Sequence, residues 1–295
     1  MVLVPIQYDE PVFRPPAEAL SAILQVTLGC SWNKCAFCEM YSSKKFRLRK
    51  FEQIQHDLAI LASVPQNTRK MFLADGNAMV LSADRMLKVL SEVQKYFPKL
   101  QRVSSYALPA DISAKSMSEL EEICDAGLKL LYIGIESGDD ELLNLVQKGE
   151  TFKSTVEGII KAHRAGFQTS IMVINGLGGR KYSRQHAIRS ADLINQITPR
   201  FLSTLTLSLP FGIDRYRSKF SGKYLPMTNR ELATELKQFL TLVHVDNCIF
   251  RSDHVSNQLV LKGRLQNDKK ALIKKIDDAL TQAEDDLYPV TPEIL

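Results

Sequence analysis

Three of the chain's five cysteines fall within nine residues, Cys30-Ser-Trp-Asn-Lys-Cys35-Ala-Phe-Cys38. Thiolates are soft metal ligands, and three bunched in one loop point to metal binding rather than to a disulfide framework. Three are too few for a closed zinc site, which takes four ligands. The nearest other candidate along the chain is His56. A [4Fe–4S] cluster has four irons, usually held by cysteine thiolates. Three cysteines leave one iron open, and an open metal position is where chemistry can take place. The remaining thiols, Cys124 in a helical stretch and Cys248 in a strand-like one, read as core residues. With only those two left, a second cluster is not expected.

The elements that must carry this loop repeat. An apolar run, Ala22-Ile-Leu-Gln-Val-Thr-Leu28, ends at the turn glycine Gly29, just ahead of the cysteines. Further strand-like runs lie at 70–73, 102–106, 129–134, 168–174 and 201–209. Helical spacing fills the gaps at 51–62, 82–96, 118–127, 139–146, 154–165 and 183–197. Ser82 is a helix cap, and Ser118 with Glu121 and Thr228 with Glu231 read as capping boxes. A seventh strand is expected at 247–252 and a last amphipathic helix at 268–283. Strand and helix in alternation predict parallel βαβ units. The strands are continuously apolar, as they are when both faces are covered. The expected fold is α/β, a partial (β/α)6 TIM-type barrel with a C-terminal α/β extension. Residues 1–20 form a Pro-rich lead-in, 21–212 the barrel core, and 213–295 the extension that closes it.

In such a barrel the site lies at the C-terminal ends of the strands. There the sequence places Cys30, Asp75, Ser104, Ser105, Glu136, Asn175 and Ser208. After the seventh strand, Arg251, Asp253, His254 and Asn257 gather a cation, a carboxylate, an imidazole and an amide. They read either as a hydrogen-bonded loop closing the barrel or as the catalytic or substrate end of the cavity.

At 295 residues, 45% apolar and 24% charged, the composition is that of an ordinary globular protein. No apolar run reaches the roughly 18 residues of a membrane span. The first residues lack a basic stretch and a long apolar core, so no signal peptide is expected. A reducing cytoplasm suits the bunched thiols. The net charge of +5 sits largely at 44–50, 215–223 and 269–275. Each stretch reads as a solvated face, and none is continuous enough to make a nucleic-acid partner the expectation.

Cys30, Cys35 and Cys38 at the end of a first strand, with Phe37 before the third cysteine, resemble the radical S-adenosylmethionine superfamily. The first gap holds four residues where three are usual, giving C-x4-C-x2-C. The resemblance implies a [4Fe–4S] cluster on the three cysteines and S-adenosylmethionine on the open iron. Reductive cleavage would give a 5′-deoxyadenosyl radical that takes hydrogen from a substrate. Phe37 would pack by the adenine. Asp75-Gly76-Asn77 sits where the family has a Gly-Gly-Glu-type turn for the methionine amine. Glu136, Ser137 and Ser105 would supply polar groups, and Lys148 would pair with the methionine carboxylate. Ile174 and Gly176 fit the fifth-strand adenine pattern, which Met172 and Gly179 depart from, and Asn175 is a polar strand-end candidate for the cofactor. Gly134-Ile-Glu-Ser137 is similar to the oxygen-independent coproporphyrinogen oxidase and methyltransferase-like branches and fixes no substrate. No Asp-x-His-x-x-Gly motif is present, so cobalamin-dependent methylation is not expected. An electron donor such as a flavodoxin or ferredoxin is implied. The alternative is a non-catalytic zinc or nucleic-acid-binding protein that uses the cysteines structurally.

Overall fold

The computed structural model describes residues 6–63 and 68–282. Its strands run β1 (Ala22–Gln25), β2 (Thr27–Leu28), β3 (Arg47–Leu48), β4 (Lys70–Ala74), β5 (Arg102–Tyr106), β6 (Leu128–Glu136), β7 (Gln168–Asn175), β8 (Phe201–Thr206), β9 (Ile249–Ser252) and β10 (Leu261–Arg264). Its helices run α1 (Phe51–Ser63), α2 (Ala83–Tyr96), α3 (Pro109–Ser113), α4 (Met117–Asp125), α5 (Asp140–Leu145), α6 (Phe152–Arg164), α7 (Gly179–Ile197), α8 (Ile213–Lys219), α9 (Asn229–Leu242) and α10 (Leu265–Gln282).

Eight strands form one sheet in the order β1-β4-β5-β6-β7-β8-β9-β10. The pairs β1–β4, β4–β5, β5–β6, β7–β8 and β8–β9 are parallel, and β9–β10 is antiparallel. This is the α/β partial-barrel arrangement expected from the alternation of elements. The apolar strand runs are buried as predicted: Met71, Phe72, Leu73 and Leu24 have no exposure. Contacts divide the chain into two compact units. One holds residues 1–33, 40–133 and 157–169, the other 34–39, 134–156 and 170–295. In the first, Phe72, Tyr106 and Tyr132 stack edge-on, with centroids 5.1 Å and 6.2 Å apart along the chain of contacts. In the second, Tyr182, Tyr216, Phe220 and Tyr224 anchor an apolar cluster.

Several boundaries differ from expectation for local reasons. The first strand is two pieces, because after Gln25 the chain leaves the main sheet and β2 pairs with β3 instead. The capping box of α4 is Ser116 with Glu119, not Ser118 with Glu121. Glu119 reaches back to the Ser116 amide at 2.6 Å, which sets the helix start one half-turn earlier. The box at Thr228 and Glu231 forms as read. The helix expected from 183 begins at Gly179. β10 was not foreseen, since Leu-Lys-Gly-Arg is too short and polar to read as a strand. The expected end of the last helix at 283 lies outside the described residues.

Candidate cofactor site

The loop starts at Gly29, whose φ of 72° is easily reached only without a side chain. Its amide donates to Asp75 Oδ2 at 3.0 Å. Asp75 is fully buried and also accepts from Gln25 Nε2 at 3.2 Å and Lys44 Nζ at 2.8 Å. Lys44, expected on a solvated face, is therefore the buried partner of this carboxylate. A buried ion pair is tolerable when such additional hydrogen bonds satisfy it. At Gly76, an added Cβ would come within 2.8 Å of Cys30 Cβ and 2.9 Å of Tyr41. Glycine there lets the turn after β4 lie against the first cysteine. Asn77 Nδ2 donates to Ser31 Oγ at 2.9 Å and to Asp111. That leaves Asn77 Oδ1 buried without a partner, as is Ser105 Oγ on β5.

The later part of the loop has its own anchors. The Ala36 amide donates to Val146 O at 2.8 Å. Glu39, next to Cys38, pairs with Arg215 at 2.8 Å and accepts from the Phe211 amide at 2.9 Å. Phe37 packs against the cluster of Tyr182, Tyr216 and Phe220. Lys148 Nζ lies 2.9 Å from Glu136 Oε1 and 5.9 Å from the Phe37 ring centroid. Burial opposes the charge of Lys148, but Glu136 and then the Cys35 and Cys38 thiolates outweigh it and raise its pKa. The ammonium is thus fixed in its charged form beside two of the three cysteines. Glu136 holds a left-handed φ of 63°, a backbone conformation that costs a non-glycine residue about 1 kcal/mol or more. Its side chain folds over Gly134, where a Cβ would lie 2.0 Å from Oε1.

The ends of β6 and β7 are tied to helices behind them. Ser137 Oγ meets His186 Nδ1 at 2.8 Å and accepts from the Asp139 amide at 3.0 Å. The Gly176 amide donates to Glu235 Oε1 at 2.6 Å, and that carboxyl lies 3.8 Å from His186 Nε2. Both side chains are buried. Burial pushes the His186 imidazole down to about 4 and the Glu235 carboxyl up to about 7. Gly176 has φ +82°, a conformation that favours glycine, and a Cβ there would meet the end of the Leu232 side chain at 2.6 Å. The Asn175 side chain turns toward α9 and donates to Leu232 O at 3.1 Å.

The loop after β9 is hydrogen-bonded to β8. Asn257 donates to Thr204 O at 2.8 Å and accepts from Thr206 Oγ1 at 3.0 Å. His254 Nδ1 contacts Ser256 Oγ at 2.8 Å, and Asp253 pairs with Lys262 at 2.9 Å. Arg251 is exposed.

Among the described residues, no three His, Cys, Asp or Glu side chains gather closely enough to hold a single metal ion. The five cysteines form no disulfide. Sequence reasoning missed Lys44, Arg215 and the His186–Glu235 contact. Each joins residues far apart in the chain, and no local pattern announces such pairs.

A mainly parallel sheet whose strands alternate with helices places the chain in the α/β barrel class. Residues 24–194 match the Radical SAM superfamily, and the chain belongs to that superfamily, whose cofactors are a [4Fe–4S] cluster and S-adenosylmethionine. The chain is 22% identical over 125 residues to the heme chaperone HemW of Bacillus subtilis (strain 168), a match covering 42% of this chain and 33% of that protein. Its fold resembles coproporphyrinogen III oxidase (HemN) from Escherichia coli, with TM-score 0.57 and 16% identity over 75% of this chain and 52% of that one. It also resembles the radical S-adenosylmethionine methyltransferase TsrM from Kitasatospora setae, with TM-score 0.52 and 18% identity over 65% of this chain and 38% of that one. The chain thus spans a third of the curated relative and two fifths to half of these structures. At these identities the structural likeness is one of fold. No helix among the described residues is long and apolar enough to cross a membrane.

Proposed function

We propose that the chain is a single-cluster radical S-adenosylmethionine enzyme, with Cys30, Cys35 and Cys38 as cluster ligands and an unidentified substrate. The residues present fit these groups. The loop offers three thiols in no disulfide. Asn77 Oδ1 and Ser105 Oγ are buried polar atoms without protein partners, open to accept from a bound ligand. The observation that carries the reading is the placement of Lys148, buried, with its Nζ 2.9 Å from Glu136 Oε1 and 5.9 Å from the ring of Phe37, the residue before Cys38.

Bound and reduced, the cluster and S-adenosylmethionine supply a carbon-centred radical able to take hydrogen from an unactivated position. The protein's residues bind, orient and exclude water. Lys148 has three donors and gives one to Glu136, leaving others for the methionine carboxylate. Asn77 Oδ1 would accept from the methionine amine. Asp75, engaged with Lys44 and Gly29, holds the start of the loop. Phe37 and the backbone at Ile174–Gly176 would flank the adenine, and Ser137 and Asn175 brace these strand ends. A flavodoxin or ferredoxin supplies the electron. Arg251, Asp253, His254 and Asn257 form the substrate end.

Metal and acid-labile sulfide analysis of anaerobically reconstituted protein tests this. About four irons and four sulfides per chain are expected, lost in Cys35→Ala. One zinc and no sulfide would instead establish the structural-cysteine alternative.

A further inference from the structure

The sheet from β7 to β10 has two unlike faces. Met172 lies beside Ser203, and Ser203 beside Arg251. Arg251 directly opposes Lys262 across the antiparallel pair, and Ile249 opposes Arg264. Residues in register on neighbouring strands share a face. Met172, Ser203, Arg251 and Lys262 therefore make one row. The opposite face, at Val173, Leu202, Phe250 and Leu261, is at most 3% exposed. The row's own face is open, half-exposed at Met172 and Ser203 and exposed at Arg251, Lys262 and Arg264. Along it the chemistry changes from apolar on β7 to hydroxyl-bearing on β8 to cationic on β9 and β10.

Like charges directly opposite one another weaken a sheet. Asp253 answers Lys262 at 2.9 Å. The guanidinium groups of Arg251 and Arg264 have no ion-pair or hydrogen-bond partner among the described residues. Charges on an edge strand discourage strand pairing, which accounts for Lys262 and Arg264 on β10. It does not account for Arg251, because β9 lies between two strands.

Building on the function proposed above, we infer that this row is the substrate-binding face and that the substrate bears an anionic group, a carboxylate or a phosphate. Arg251, Lys262 and Arg264 hold that group. Guanidinium groups match both anions bidentately. Ile174, on the same face of β7, packs against the apolar cluster that Phe37 joins. With strands about 4.8 Å apart, the cationic edge lies roughly 10–15 Å from β7. The substrate's less polar part lies along β7 and β8, with its anionic group at that distance.

The test uses the 295-residue chain without cluster, titrated calorimetrically with pyrophosphate and, separately, citrate. Wild type is expected to bind at least one of them saturably at a single site. The tighter probe indicates phosphate or carboxylate as the recognised group. The triple variant Arg251→Gln, Lys262→Gln, Arg264→Gln should weaken binding about tenfold or more, and Arg251→Gln alone should weaken it measurably. A control triple on α10, Lys270→Gln, Lys274→Gln, Lys275→Gln, removes the same charge from outside the row and should change affinity far less, since only a long-range, salt-screened attraction is lost. Equal weakening by both triples, no weakening by the sheet variants, or no saturable binding by wild type overturns the inference. Because the readout needs neither cluster nor turnover, its failure is separable from failure of the enzyme reading.

Discussion

At the scale of single residues, the site depends on a few side chains whose partners are buried. Lys44 and Asp75 have side-chain exposures of 4% and 0%. Removing one partner of such a pair strands the other charge and costs about 3–5 kcal/mol. Lys44→Met should therefore lower unfolding free energy by that order in denaturant titration, while exposed Lys45→Met leaves it within about 0.5 kcal/mol. Gly76→Ala makes a more local prediction. Its methyl group would press on Cys30 Cβ at 2.8 Å, so iron content after reconstitution should fall sharply, with the melting temperature reported alongside. Lys148→Met should weaken S-adenosylmethionine binding about tenfold or more in equilibrium dialysis, the order expected for losing a charge-assisted bond to a carboxylate. Unchanged affinity would remove Lys148 from the cofactor site. None of these pairings is legible from the chain. Asp75 was readable as a polar strand end, but its 31-residue separation from Lys44 hides the ion pair that engages it.

At the scale of elements, α7 and α9 brace the ends of β6 and β7 through His186 and Glu235. Glu235 has its carboxyl pushed from 4.5 up to about 7. Its contribution to stability is complete below about pH 4.5 and is lost as pH rises through 7. His186, pushed from 6.5 down to about 4, contributes in the opposite sense. Its share is present above pH 6.5 and is lost as pH falls through 4. Each shift corresponds to roughly 3 kcal/mol, and between pH 4.5 and 6.5 the two slopes oppose. Glu235→Gln keeps an acceptor for the Gly176 amide and removes one slope. The variant's stability should then fall more steeply than wild type's from pH 6.5 to 4, as read by chemical denaturation across that range. Parallel pH profiles would show that the pair does not titrate as described. Element identity itself was largely readable, because strand and helix periods alternate cleanly and Ser82 and Thr228 cap where they stand. The boundaries that shifted did so through hydrogen bonds with several compatible donors, as at Ser116 and Ser118. β10 was hidden because an edge strand can carry exposed charges that a buried strand cannot.

At the scale of the whole molecule, the barrel class was legible from short-range signals, and the cofactor pair followed from the family resemblance that the cysteine loop carries. Three thiols in nine residues and apolar runs at regular spacing need no tertiary knowledge. Arg251 was readable as a candidate for the substrate end, but its row with Lys262 was not, since that row arises only when register aligns the two across neighbouring strands. The central claim is that Cys30, Cys35 and Cys38 hold a cluster that cleaves S-adenosylmethionine. The most direct measurement is anaerobic incubation of reconstituted protein with S-adenosylmethionine and dithionite, followed by chromatographic quantitation of 5′-deoxyadenosine. Wild type is predicted to form it in amounts exceeding the protein, and Cys35→Ala to form none. Absence of 5′-deoxyadenosine from folded, iron-loaded wild-type protein, or equal formation by Cys35→Ala, would contradict the account.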